Sequence, residues 1–191
     1  MRSVLRTFVL LSICSIALVP SPAQWTAQKN QGDSLLVYGS GFSFSVKEPL
    51  GWDSDTGDLA RRYGVSVVFS PQQKASREYD VTIRIQANRK ADESTEKDLN
   101  ADMDGYKKEY PSVRFEELPV AHAKYKTFAK LFFIPDKFYE YVVYVNPGKD
   151  VPMVFSFAFS KRSKRASAEE LAAFTQVIRS FTFLTPNVIE K

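Results

Sequence analysis

Residues 138–160 read FYEYVVYVNPGKDVPMVFSFAFS, two apolar runs of strand length around a loop of turn formers, Asn146-Pro147-Gly148-Lys149-Asp150. In the second run Phe155, Phe157 and Phe159 fall on one side, and Val154 and Ala158 on the other. A strand that is apolar on both sides belongs in the middle of a sheet covered on both faces. The rest of the chain must therefore supply more strands and two covering layers.

The strands come from the same kind of pattern. Phe42, Phe44 and Val46 alternate with Ser43 and Ser45 until Pro49, where Leu50-Gly51-Trp52 makes a corner. Tyr63 to Ser70 reads as a second strand, stopped by Pro71. In the third, Tyr79, Val81, Ile83, Ile85 and Ala87 face one way, and Asp80, Thr82, Arg84, Gln86 and Asn88 the other. That second face is wet or functional. Val113 to Ala121 and Lys124 to Ile134 follow, with Pro135-Asp136-Lys137 as a turn before the run that starts at Phe138.

Two helices are expected. Thr95 with Asp98 has the spacing of a capping box, and Leu99, Met103, Tyr106 and Tyr110 share one narrow face up to Pro111. The second starts at Ser167 with Glu170 completing another box, and buries Leu171, Phe174, Ile178 and Phe181. Asn100, Asp102, Asp104 and Gly105 imitate the opening of a calcium loop. On a helix, however, Asn100 and Asp102 point about 160° apart, as do Asp102 and Asp104. The bidentate glutamate required at the twelfth loop position is replaced by Pro111. The stretch is a helix face.

The chain opens MRSVLRTFVLLSICSIALVPSPAQW. Arg2 and Arg6, a short apolar run over residues 7–19, and small residues in Ser21-Pro22-Ala23 make a secretory signal cut after Ala23. The apolar run is too short for a stable membrane span. The alternative is a lipoprotein anchored through Cys14, although Ile13 is large for the position before such a cysteine. Removing 23 of the 191 residues leaves 168, enough for one domain with its own core, and lowers the net charge from +4 to +2 as both arginines leave. That charge is weak footing for a nucleic-acid partner. The only cysteine leaves too, so disulfides, thiol nucleophiles and cysteine zinc sites are excluded from the mature chain.

One early helix, one closing helix and six to seven strands on hairpin-length links imply an α+β fold. Its expected form is a mainly antiparallel sheet between two helical layers, an α/β/α sandwich. The order of motifs resembles the PsbP-like family, which includes an extrinsic subunit of photosystem II and a relative that binds the GTPase Ran. The resemblance lies in FSFSVKEPLGW, with its corner at Pro49, Gly51 and Trp52, in the hairpin YVVYVNPGKDVPMVFSFAFSKR, and in the closing helix AEELAAFTQVIRSFTF with its Ser180-Phe181 exit. It spans about residues 37–184 as one domain, after a signal at 1–23 and a loose arm at 24–36, with a tail at 185–191. The resemblance implies an exported member that is a non-catalytic binding or accessory domain. No functional residue carries over, because the matched positions are packing and turn residues.

Candidate chemistry is sparse. His122, the only histidine, has no nucleophile or co-ligand marked beside it, and reads as a turn or surface residue. Asp53, Asp55 and Asp58 suggest a calcium loop, but Gly57 and Asp58 stand in swapped order, and a polar turn is the better reading. Gly39-Ser40-Gly41 has no following helix to hold a phosphate. The strongest charge feature is Lys161, Arg162, Lys164 and Arg165, either a solvated loop or a patch for an anionic partner, joined by Lys124, Lys126 and Lys130. The alternative docking surface is Asp80, Thr82, Arg84 and Gln86. The expectation is a secreted or periplasmic, non-enzymatic binding or accessory domain of the cell envelope. It needs no cofactor or metal, and its partner is a protein or an anionic envelope component. An envelope hydrolase using carboxylates and tyrosines is the opposing reading. Intact-mass measurement of the exported protein should give an N-terminus at Gln24 and no lipid. A diacylglyceryl mass on Cys14 would replace secretion by anchoring.

Overall fold

A computed structural model describes residues 26–29, 34–72, 81–90 and 94–184. The first half of the chain runs β1 (Thr26–Lys29), β2 (Ser34–Gly39), β3 (Phe42–Lys47), β4 (Trp52–Asp55), α1 (Asp58–Tyr63), β5 (Val67–Pro71) and β6 (Val81–Arg89). Then come α2 (Thr95–Glu109), β7 (Arg114–Glu117), β8 (Lys126–Ile134), β9 (Phe138–Asn146), β10 (Met153–Arg162), α3 (Ala168–Ser180) and β11 (Thr182–Leu184).

The strands make two sheets. Seven lie in the order β4-β5-β6-β10-β9-β8-β7 and four in the order β1-β2-β3-β11, with every pairing antiparallel. The two-faced apolar hairpin of β9 and β10 sits inside the larger sheet, as its composition demands, and β6 pairs with β10 along its whole length. Phe155, Phe157 and Phe159 meet Phe42, Phe44 and Val46 of the smaller sheet and Phe174, Val177 and Ile178 of α3 in the main core. On the opposite face Phe132, Val142, Tyr144 and Val154 are roofed by Leu99 of α2, with Met103 and Tyr106 packed alongside. A third, small cluster joins Ala60 of α1 to Val65 and Val68 at the β5 edge.

Local sequence explains the ends of these elements. Ser167 caps α3 by accepting from the Glu170 amide at 3.2 Å, while the Glu170 carboxylate accepts from the Ser167 amide at 2.6 Å, a complete capping box. α1 stops at Gly64, whose φ of 67° is the left-handed conformation that a glycine adopts without strain. In the corner after β3 the Trp52 amide donates to the Pro49 carbonyl at 3.1 Å, which turns Trp52 into the core against Phe159 and leaves Leu50 98% exposed.

Several expectations change. The arm at 24–36 contains β1 and the start of β2, which pair with each other as the smaller sheet begins, because Leu35 is one of an alternating set that β3 extends. The strand expected from Tyr63 begins only at Val67; Tyr63 is the last residue of α1, and Asp58 opens that helix. The strand expected over 113–121 contracts to β7. The early helix has Ser94 at its N-cap with no side-chain cap bond, so the Thr95–Asp98 box does not form, and Thr95 Oγ1 is buried without a hydrogen-bond partner among the described residues. The sheet is antiparallel as expected, but only one covering layer is helical: α1 and α2 cover one face, while α3 shares the other with the four-stranded sheet. The signal, Tyr79, Asp80 and the tail lie outside the described residues.

Phe181, 1% exposed, touches Phe44, Phe155, Phe157 and Tyr125 within 5.6 Å between ring centroids. Its replacement by alanine should cost about 3–5 kcal/mol in urea unfolding. Leu50→Ser should stay within about 0.5 kcal/mol of the parent, because that side chain loses no burial.

Candidate functional site

The helix-covered face of β6 and β10 carries Thr82, Arg84, Gln86, Ser156, Ala158 and Ser160, a polar strip with α1 packed toward the β5 side and α2 toward the β9 side, in which Thr82 is buried and so cannot line a docking surface. Antiparallel register puts Thr82 beside Ser160 and Ser160 beside Glu140, with Arg84 beside Ala158 and Gln86 beside Ser156. Arg84 Nη2 donates to Ser160 Oγ at 2.5 Å and to Glu140 Oε1, with which it forms an ion pair. Ser160 Oγ donates to the same carboxylate oxygen at 3.1 Å. Tyr106 reaches down from α2 and donates its hydroxyl to Glu140 Oε2. Glu140 therefore accepts from three donors on three elements. Over the other side of Arg84 lies the ring of Tyr63, 41% exposed, with its centroid 5.5 Å from the guanidinium carbon. Arg84 Nε is buried with no hydrogen-bond partner among the described residues.

A second tyrosine–carboxylate bond lies deeper under α2, where the Tyr144 hydroxyl donates to Asp102 Oδ2 at 2.6 Å. Burial pushes the Asp102 carboxyl above its usual range, and Glu140 and Asp98 add to the rise; the Tyr144 bond opposes it without cancelling it. Burial, then the neighbouring carboxylates, push both phenols far above their ordinary values, so each remains a donor at any physiological pH. The helix thus carries one acid engaged by a phenol of the sheet, and one phenol engaged by an acid of the sheet.

The basic run behaves differently from a uniform patch. Lys161 faces the main core side, only 9% of its side chain exposed, in an ion pair with Glu170. Glu170 is held below the ordinary carboxylate range: burial works against that, and the bonds from Lys161 and Ser167 outweigh it. Arg165 Nη2 donates to both oxygens of Glu116, each at 2.8 Å, and its guanidinium lies over the rings of Phe133 and Tyr139. Arg162 and Lys164 are exposed and enter no ion pair among the described residues. Lys130 pairs with Glu117 across the β7–β8 ladder, while Lys124 and Lys126 lie near the rings of Tyr125 and Phe128.

His122 is a structural pin. Its Nδ1 accepts from the amides of Lys124 and Tyr125 at 2.9 and 3.1 Å, which leaves Nε2 to donate to the Phe181 carbonyl at 3.0 Å. Among the acids that imitated calcium ligands, Asp102 turns to Tyr144 and Asp104 approaches Lys107 at 3.9 Å. Asp55 accepts from the amides of Gly57 and Ala60, and Asp53 from Gln72. Sequence reasoning placed Thr82, Arg84 and Gln86 on the strip but missed Glu140, Tyr106, Tyr144 and Asp102. The available signal was Glu140 itself, a lone carboxylate within the apolar run of β9.

No family model and no curated protein matches this chain. Among solved structures it is similar to the solution structure of cyanobacterial PsbP from Synechocystis sp. PCC 6803, with 16% identity and a TM-score of 0.46, over 90% of this chain and 99% of that one.

The raised Asp102 pKa means that the native state holds this proton more tightly than the unfolded chain does. Its contribution to stability is full below the unfolded value near 4 and is lost as pH rises through the folded-state value. Asp102→Asn, which keeps an acceptor for Tyr144 without the buried charge, should melt a few degrees higher than the parent at pH 7. The difference should shrink towards pH 4, a trend that thermal melts across this range would show.

Proposed function

We propose that this chain is an exported, PsbP-like binding or accessory domain of the cell envelope, acting through contact with a partner and not through catalysis. The carrying observation is the state of Glu140. A general base needs a free lone pair facing substrate and a pKa set for proton transfer. This carboxylate already accepts from Arg84, Ser160 and Tyr106, so its role is to hold three elements in register. Around it the half-buried side chains of Gln86 and Ser156 leave hydrogen-bonding groups on a rigid sheet face, which suits recognition. With residues 1–23 removed the chain has no cysteine, so its stability rests on the core without disulfides.

This reading is tested by blocking the strip without disturbing its ionic centre. Gln86→Trp and Ser156→Trp place bulk on the half-exposed floor while leaving Arg84 and Glu140 intact. Each should abolish crosslinked capture of the native envelope partner with a melting temperature near that of the parent. Undiminished capture by both variants would remove the strip as the docking surface.

A further inference from the structure

The sequence presents its basic run as a cluster of four, but folding withdraws two of them and recruits others from distant parts of the chain. The Ser163 amide donates to the Lys137 carbonyl at 3.2 Å, which lays the β10–α3 connection against the β8–β9 turn. Tyr110, at the end of α2, meets Phe138 with ring centroids 5.5 Å apart, so the last turn of that helix reaches the same end of the sheet. Arg114 opens β7 opposite Phe133, close to that turn. Five exposed cations therefore gather at one pole: Lys108, Arg114, Lys137, Arg162 and Lys164, none of them in an ion pair among the described residues. The nearby carboxylates that enter no ion pair among the described residues are Glu109, Asp136 and Glu169, while Glu116 is occupied by Arg165.

The geometry points to this pole as a docking surface for an anionic lipid bilayer. The occupant follows from how the charges are carried. They stand on a helix end, two connections and the start of an edge strand, on exposed side chains, whereas two well-formed depressions among the described residues lie beside Asp53–Asp58 and along α3. Separated cations on protruding segments match a plane of mobile negative headgroups, which move to meet them, better than a ligand of fixed shape, which needs a concave site. Among the described residues no large apolar side chain at this pole is exposed, so the attachment is electrostatic, reversible and sensitive to salt. This surface is distinct from the polar strip, and the protein can occupy both.

The test is sedimentation of the exported protein with phosphatidylcholine vesicles, with and without phosphatidylglycerol. Binding should need the anionic lipid and vanish near 0.5 M salt, where the screening length falls to a few ångström. Arg162→Glu with Lys164→Glu should lower the vesicle affinity at least about tenfold, since each interfacial cation contributes measurably and four charge units change. Lys149→Glu with Arg179→Glu, an equal change of charge elsewhere on the surface, should lower it far less. Equal losses in the two variants would reduce the effect to net charge and overturn the assignment. So would binding that persists in high salt or with neutral vesicles, which would reveal an apolar attachment. If dextran sulfate in solution is held as tightly as the vesicles and with the same dependence on Arg162 and Lys164, the pole serves a soluble polyanion and the bilayer assignment fails.

Discussion

The packing of Phe181 against Phe44, Phe155 and Phe157 joins three separate parts of the fold. Phe44 belongs to the four-stranded sheet, Phe155 and Phe157 to the centre of the seven-stranded sheet, and Phe181 to the exit of α3. Edge-on and tilted ring contacts of this kind add to the burial of area that drives the core. The backbone here is held as well: the Phe181 carbonyl accepts from His122 and the Phe183 amide donates to the Tyr125 hydroxyl at 3.1 Å. The final strand then pairs with β3 across most of the length of the chain. A core assembled from such distant segments forms late and cooperatively, since loop closure precedes the contacts that reward it.

The other face of the large sheet obeys different physics. Its covering helix is held by a modest apolar cluster and by two hydrogen bonds between tyrosines and carboxylates. Such bonds orient a helix well, but a buried carboxylate gains little net stability after desolvation. Asp102 shows this in its raised pKa, whereas Glu140 shares its charge with Arg84. The strip beside this helix stays polar because Arg84 and Glu140 need one another, and their pairing fixes β6, β10, β9 and α2 around one point.

Charged side chains show how far local sequence misleads about surface. Lys161 and Arg165 are four residues apart in a run that looks uniformly solvated. One is taken by Glu170, which comes only nine residues later, and the other by Glu116, forty-nine residues earlier. Alternation along β10 sends Lys161 inward and Arg162 outward, so neighbours in sequence reach opposite faces.

Much was determined by the sequence alone. Period-two alternation located β3, β6 and β10 and named their core-facing sides, apolar runs marked β8 and β9, and the four-three-four spacing of Leu99, Met103, Tyr106 and Tyr110 described the buried face of α2. The Ser167–Glu170 box and the turn at Pro49 to Trp52 were also legible, because each is completed within four residues. Tertiary structure decided the rest. α1 is six residues long and has one fully buried side chain, too little periodicity to read, and β2 becomes a strand because β3 is there to pair with it, as β1 does by pairing with β2. Glu140, Tyr106 and Arg84 are 34 and 56 residues apart along the chain as hydrogen-bonding pairs with Glu140, so no local pattern joins them. Periodicity reports which side of an element is apolar; which polar groups meet depends on register between elements, and that exists only after the sheet has closed.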